Sequence, residues 1–238
     1  MPSVQFFEKP VAVNREVHRN AKVGAVPDFK FASGINCVAL TLVEFTEASK
    51  EYPIVFASVG DRHIPVALLG LREKENLYVN LDGKWDARYI PASVRRYPFV
   101  LAENGPAQWV VCVDEASSAF NAEGGQPMFD QEGKNAPLLD GALNFLGAFQ
   151  QEFTRTEAFM KMLAQHELLT EMAAKFDLKD GRSFVVKRLY VIDEKKFQAL
   201  DKDVLASLVK SSDAAWIYAH LMSMSNLRRL IDHISTRG

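Results

Sequence analysis

Cysteine is nearly absent from this chain: 238 residues contain two, Cys37 and Cys112. That count excludes a disulfide scaffold and a cysteine-based zinc cluster. Both thiols sit in apolar runs, Ile-Asn-Cys-Val-Ala-Leu and Trp-Val-Val-Cys-Val, and read as buried and reduced. The histidines, His18, His63, His166, His220 and His233, share no metal-type spacing such as His-x-x-x-His. No metal site and no cofactor are therefore expected. A Gly-x-Ser-x-Gly elbow, a Gly-x-x-x-x-Gly-Lys loop and a Gly-x-Gly-x-x-Gly fingerprint are also missing. Their absence removes the common routes to hydrolase and nucleotide chemistry.

An excess of one charge is missing too. Lysine and arginine total 28 against 30 acids, for a net charge of −2. No global basic field would draw the chain to nucleic acid. No apolar run approaches the roughly 20 residues that span a bilayer. The start, Met1-Pro-Ser-Val-Gln-Phe-Phe-Glu-Lys-Pro, lacks the basic and then apolar order of a secretory signal. The expectation is a soluble, cytoplasmic protein, with signal-independent export to the cell surface left open. The composition, 48% hydrophobic and 24% charged, is that of a globular chain able to bury a core without staples.

The patterning predicts an α+β fold, with mainly antiparallel strands in the N-terminal half and helices concentrated in the C-terminal half. Residues 1–34 read as an irregular arm punctuated by Pro2, Pro10, Pro27 and Gly34, and pinned by Phe6, Phe7, Phe29 and Phe31. A strand-rich part covers 35–115. In it, Val38, Leu40 and Leu42 alternate, Glu44 to Glu51 reads as a helix, and Gly60-Asp61 joins Pro53–Val59 to Ile64–Leu71 as a hairpin. Asn76–Leu81 reads as a strand closed by Asp82-Gly83. Phe99–Ala102 and Gln108–Asp114 pair around Asn104-Gly105-Pro106. A helix-rich part covers 138–238. Thr154 and Glu157 form a capping box that would start a second helix within Leu138–Leu169. Asp180-Gly181 leads into one strand, Ser183–Ile192, and Asp193 or Glu194 opens a helix. Ala214 onward reads as a buried strand, then a helix capped by Ser223 or Ser225. No internal repeat and no low-complexity segment is read.

What the chain does hold is one dense segment, Trp85 to Leu101. It carries four aromatics, three arginines and two prolines, with one acid. The prolines restrict the backbone, and arginines are rigid forks for carboxylates, phosphates or aromatic faces. Two readings of Arg95 and Arg96 stay open. They bind an anion, with Tyr89, Tyr97 and Trp85 nearby, or they pin a structural corner. Catalytic candidates are His220, as a base beside Ser223, and the acids Asp114 and Glu115 at a strand end. The alternative for Ser223 is simple capping. Glu44, Asp82 and Asp86 read as solvated or capping carboxylates.

Several phrases carry a resemblance. They are Glu44-Phe45, Tyr52-Pro53-Ile54-Val55-Phe56, Leu69-Gly70-Leu71, Glu75-Asn76-Leu77-Tyr78, Gly83-Lys84-Trp85, Tyr89-Ile90-Pro91-Ala92 and Arg95-Arg96-Tyr97-Pro98-Phe99. Gly125, Phe129-Asp130, Val191-Ile192-Asp193-Glu194 and Tyr218-Ala219-His220-Leu221 follow. Together they resemble the bacterial SapC family over nearly the full length, as one domain of residues 1–238. The resemblance implies a link to the surface layer or to peptide transport, and brings no catalytic residues. The resulting expectation is an accessory or binding protein without its own catalysis. Its partner would be an unknown protein or small molecule, with no nucleic acid and no membrane span, and homo-oligomers remain open. The alternatives are an enzyme acting on an amino acid, peptide or sugar through His220, and a self-assembling surface-layer component.

Overall fold

Strand and helix follow the local sequence in most places. The structure, a computed structural model, describes residues 6–105, 108–172, 174–177, 183–186 and 188–236. Pro2, Pro106 and the Asp180-Gly181 turn lie outside them. In chain order the first elements are β1 (Pro10–Ala12), β2 (Lys22–Val23), β3 (Cys37–Ala39), α1 (Phe45–Ala48), β4 (Ile54–Val59), β5 (Arg62–Leu68) and α2 (Ala92–Arg95). Next are β6 (Phe99–Glu103), β7 (Trp109–Asp114), β8 (Gln126–Pro127) and α3 (Pro137–Gln165). Then come β9 (Leu169–Glu171), β10 (Ala174–Asp177), β11 (Ser183–Val186) and β12 (Leu189–Ile192). The last are α4 (Glu194–Gln198), α5 (Lys202–Lys210), α6 (Asp213–Ser223) and α7 (Leu227–Thr236). The fold is α+β, as the patterning predicts.

The main sheet is antiparallel, in the order β3-β5-β4-β12-β9. Its centre is the β4–β5 hairpin, closed at Val59 and Arg62 around Gly60, whose φ of 58° suits glycine. On the far side of β5, β3 pairs only with Val66 to Leu68. Pro65 has no N–H to offer there, and its carbonyl takes the Leu40 N–H at 3.0 Å. From Pro65 back to Arg62, no strand among the described residues pairs with the outer edge of β5.

A second sheet has the order β1-β7-β6. The arm thus supplies β1, paired with Ala12 opposite Cys112, and β2, paired with β8. Asp114, fully buried at the end of β7, fixes this arrangement. Its carboxylate accepts the N–H groups of Glu8 at 3.0 Å and Lys9 at 2.8 Å. The thiol of Cys112 is buried and that of Cys37 half-buried, and burial raises the pKa of both.

Helix α3 is continuous for 29 residues and serves two cores. Leu139 and Leu146 pack with Phe99, Val113 and Met128 beside the second sheet. Phe159, Met160 and Leu163 join the larger core over the main sheet. Thr154 does not cap a new helix: its hydroxyl bonds the Gln150 carbonyl one turn back, at 3.2 Å. Ala214 does not start a strand either. Ala214, Ile217, His220 and Ser223 are buried at a spacing of three, which places them along one side of helix α6. An apolar run of that length has no alternation to separate the two states.

Ser183–Ile192 breaks into β11 and β12, and Arg188 between them has a φ of 60°. Asp193 opens α4 as expected, accepting the Lys195 and Lys196 N–H groups at 3.0 and 3.1 Å. Such a cap contributes about 1 kcal/mol. Asn76–Leu81 is not a strand but the lead into a turn, with one bridge from Val79 to Trp85.

That turn occurs twice, a repeat the sequence reading missed. The Asn80 side chain accepts the Lys84 N–H at 2.8 Å, and Gly83, with φ 79°, donates to the Asn80 carbonyl. The Asp130 side chain accepts the Lys134 N–H at 2.8 Å, and Gly133, also with φ 79°, donates to the Asp130 carbonyl. Each turn is followed by a segment that lines the cavity described next.

Candidate functional site

The segment from Trp85 to Leu101 is stiff because its polar groups are bonded inward. Trp85 Nε1 donates to the Tyr52 hydroxyl at 2.8 Å, and that hydroxyl donates to the Tyr89 carbonyl. The Tyr89 hydroxyl donates to Glu44 Oε1 at 2.8 Å, and the Ala92 N–H meets the same oxygen at 2.7 Å. Glu44 Oε2 takes the Thr41 N–H at 2.8 Å and the Thr41 hydroxyl at 2.9 Å. A buried carboxylate thus holds four donors and joins the segment to the end of β3. Burial and the Glu44 charge raise the pKa of Tyr89, which stays protonated as a donor.

Beyond this anchor, Arg95 ends α2 and Arg96 caps it. The Arg95 guanidinium lies over the rings of Tyr89 and Phe145, at 5.9 and 5.4 Å. That of Arg96 lies over Phe7 and Phe149, at 5.6 and 5.3 Å. Phe145 and Phe149 stand one turn apart on α3, so adjacent arginines meet successive rings of one helix. Arg95 is exposed, with its Nε bonded to the Ile90 carbonyl at 2.9 Å. Arg96 is 5% exposed, and burial lowers its pKa to about 10, leaving it charged near neutrality. Tyr97 stacks on Phe31 at 4.0 Å and touches Phe6 and Phe7, which pins the arm here. The peptide from Tyr97 to Pro98 is cis.

Between this corner and α3 lies a cavity of about 450 Å³, open to solvent. Arg95, Arg96 and Tyr97 line one side, and Val26, Leu138 and Phe145 belong to its apolar wall. The volume falls in the range of small-molecule sites. Chemically, this arrangement suits an apolar body carrying an anionic group, with Arg95 at the mouth.

Of the residues predicted from sequence, Arg95, Arg96 and Tyr97 come together here. Trp85 and Tyr89 do not line this cavity. They face separate surface clefts, Trp85 beside Arg229 and Tyr89 beside Glu47 and Lys50. The lining from α3 was missed. Its signal was available in the spacing of Phe145 and Phe149, which reads equally as core.

His220 and Ser223 also come together, in a different place and through the backbone. The β4–β12 ladder runs from Ala57–Leu189 to Phe56–Tyr190 and then stops. Two ladder steps on, Ile54 and Ile192 are bridged by side chains of α6. His220 Nε2 accepts the Ile192 N–H at 3.0 Å, which places the ring proton on Nδ1, where it is donated to the Ile54 carbonyl at 2.8 Å. Ser223 Oγ accepts the Ile54 N–H at 2.9 Å and donates to the His220 carbonyl at 2.6 Å. Neither Ser223 nor Ser225 caps a helix through its side chain; Ser225 bonds the Met222 carbonyl at 2.9 Å. Burial lowers the His220 pKa to about 4, keeping it neutral. The acids Asp114 and Glu115 hold the arm. Glu115 pairs with Lys9 at 2.7 Å and meets His18 at 3.2 Å, and these bonds lower its pKa. Among the described residues, no cluster of three His, Cys, Asp or Glu groups could hold a metal ion, and no helix is long and apolar enough to cross a membrane.

A family model described as SapC matches residues 13–230. No curated protein and no solved structure matches the chain.

Proposed function

The chain belongs to the SapC family, and from that membership and the arginine cavity we propose that it is a binding protein without catalysis of its own. Its ligand is a small molecule with an apolar body and a carboxylate or similar anionic group. The carrying observation is the joint placement of Arg95, Arg96 and Tyr97 on one cavity of about 450 Å³ with an apolar wall from α3. Arg95, exposed at the mouth, reaches the anion, while Arg96 and Tyr97 shape the wall. The engagement of His220 and Ser223 with backbone groups supports a non-catalytic reading. A cytoplasmic location goes with this reading, as does the link to surface-layer or uptake functions that the resemblance implies.

Calorimetric titration with 2-naphthoate tests the site. Arg95→Ala is expected to weaken binding about ten- to a hundredfold, the range for a lost hydrogen bond to a charged group. Its melting temperature should stay close to that of the wild type, because the side chain is exposed. Equal affinity in Arg95→Ala and in a folded Arg95→Gln variant would reject the site.

A further inference from the structure

The arginine cavity has a shape as well as a charge, and α3 sets it. Leu138, Gly141, Ala142 and Phe145 line it, at the i, i+3, i+4 and i+7 positions that share one face of a helix. Leu138 and Phe145 stand two turns apart, about 10 Å along the axis at about 1.5 Å per residue. Between these two apolar side chains the wall drops to Gly141 and Ala142. A Cβ built on Gly141 would meet nothing within 4 Å. Its neighbours on that face line the cavity, so the missing side chain would stand in the cavity's own space. The result is a slot on the helix, floored by bare backbone and bounded at each end by an apolar side chain.

Packing does not account for this glycine. A carbonyl oxygen of the next loop keeps Gly70 small, whereas Gly141 has no such neighbour. Glycine is among the poorest helix formers, so α3 is weaker for carrying it in its second turn. Gly147 is another open glycine of α3, but it does not line the cavity and so serves as a control. Arg95 fixes which end of the slot takes the charge. Its guanidinium lies 5.4 Å from the centre of the Phe145 ring, at the end away from Leu138. An anion held by Arg95 therefore starts at Phe145, and the body attached to it runs over Gly141 toward Leu138. Dispersion contact falls off steeply with distance. A flat, elongated body gains most on such a floor, and a round one touches it with few atoms.

Resting on the binding function given above, we propose that Gly141 determines the specificity of this site. The ligand class is a flat, fused-ring carboxylate laid lengthwise along α3, with the carboxylate at Arg95 and the rings over Gly141.

The test is a calorimetric titration of the full chain with 2-naphthoate and with adamantane-1-carboxylate, a round body with the same number of carbons. The wild type should bind 2-naphthoate about tenfold more tightly, the scale of a one-methylene misfit. Gly141→Ala should weaken 2-naphthoate about tenfold and Gly141→Leu about a hundredfold, across the range of overpacking. Gly147→Ala and Gly147→Leu should leave its affinity unchanged. Gly141→Ala and Gly147→Ala should each raise the melting temperature by about 2–4 °C, so that weaker binding in the first is not a loss of fold. The inference is overturned, with the arginine site left standing, if Arg95→Ala loses affinity while the Gly141 variants bind like the wild type. It is overturned equally if the Gly147 variants lose as much, or if the round acid binds as tightly as the flat one. A wild type that binds neither acid overturns the site itself, and this inference with it.

Discussion

Glu44→Gln is the sharpest test of how this fold is held. The carboxylate is 3% exposed and takes four donors, two on each oxygen. Glutamine keeps one acceptor oxygen and replaces the other with an NH₂ group. Whichever way the amide turns, one backbone N–H, of Thr41 or of Ala92, then faces the NH₂ group, while the hydroxyl beside it can rotate to accept from that group. The N–H left facing a donor costs about 1–3 kcal/mol, and each of the other bonds weakens by about 1 kcal/mol on passing from a charged to a neutral partner. Against this stands the desolvation of a buried charge, several kcal/mol, which the neutral amide avoids. The net expectation is a loss of about 1–3 kcal/mol. Urea denaturation followed by tryptophan fluorescence reads it as a lower midpoint at unchanged slope. Amide exchange localises it: the Thr41 and Ala92 N–H groups should lose protection first. A stability within about 0.5 kcal/mol of wild type, where unremarkable surface changes fall, would refute the account. Tyr89→Phe removes one donor of the four and should lose about 1–2 kcal/mol.

Two further outcomes follow from the geometry. His220 has its pKa lowered to about 4 in the fold, whereas the unfolded chain takes that proton near pH 6.5. The unfolded state binds more protons in between, so stability rises with pH across that window, and about 3 kcal/mol is lost on acidification through it. Urea midpoints for wild type and His220→Gln from pH 7.5 to 4.5 should converge as pH falls; a constant gap would count against the buried neutral ring. Gly70 touches the next loop so closely that a Cβ would stand 2.2 Å from the Glu75 carbonyl oxygen. Gly70→Ala should therefore lose about 1–3 kcal/mol by overpacking, and an unchanged melting temperature would show that the loop gives way freely.

Local sequence carried much of the fold. The hairpin turn at Gly60, the turn at Gly83 and the cap at Asp193 were legible because each depends on a few neighbouring residues. The pinning of the arm by Phe6, Phe7, Phe29 and Phe31 was legible from their apolar surface. Helix α6 was not, because a buried helix and a buried strand share the same apolar run. Thr154 misled because a threonine can bond forward as a cap or back to the preceding turn. The role of Glu44 was half hidden: Thr41-x-x-Glu44 has the spacing of a capping box, but its other two donors, the Tyr89 hydroxyl and the Ala92 N–H, lie more than forty residues away. The paired turns share a Gly-Lys pair after an acid, Asp82-Gly83-Lys84 and Glu132-Gly133-Lys134, a match too short to announce a repeat.

By itself, the sequence determined the family, the α+β class and the stiffness of Trp85 to Leu101. These rest on residue identity and local period. Only the tertiary structure decided which of that segment's side chains share a cavity. Arg95, Arg96 and Tyr97 meet α3, while Trp85 and Tyr89 turn toward Tyr52 and Glu44. It also decided that His220 and Ser223 stand in where the β4–β12 ladder stops. Each of these depends on groups far apart in the chain, brought together by packing that no local pattern encodes.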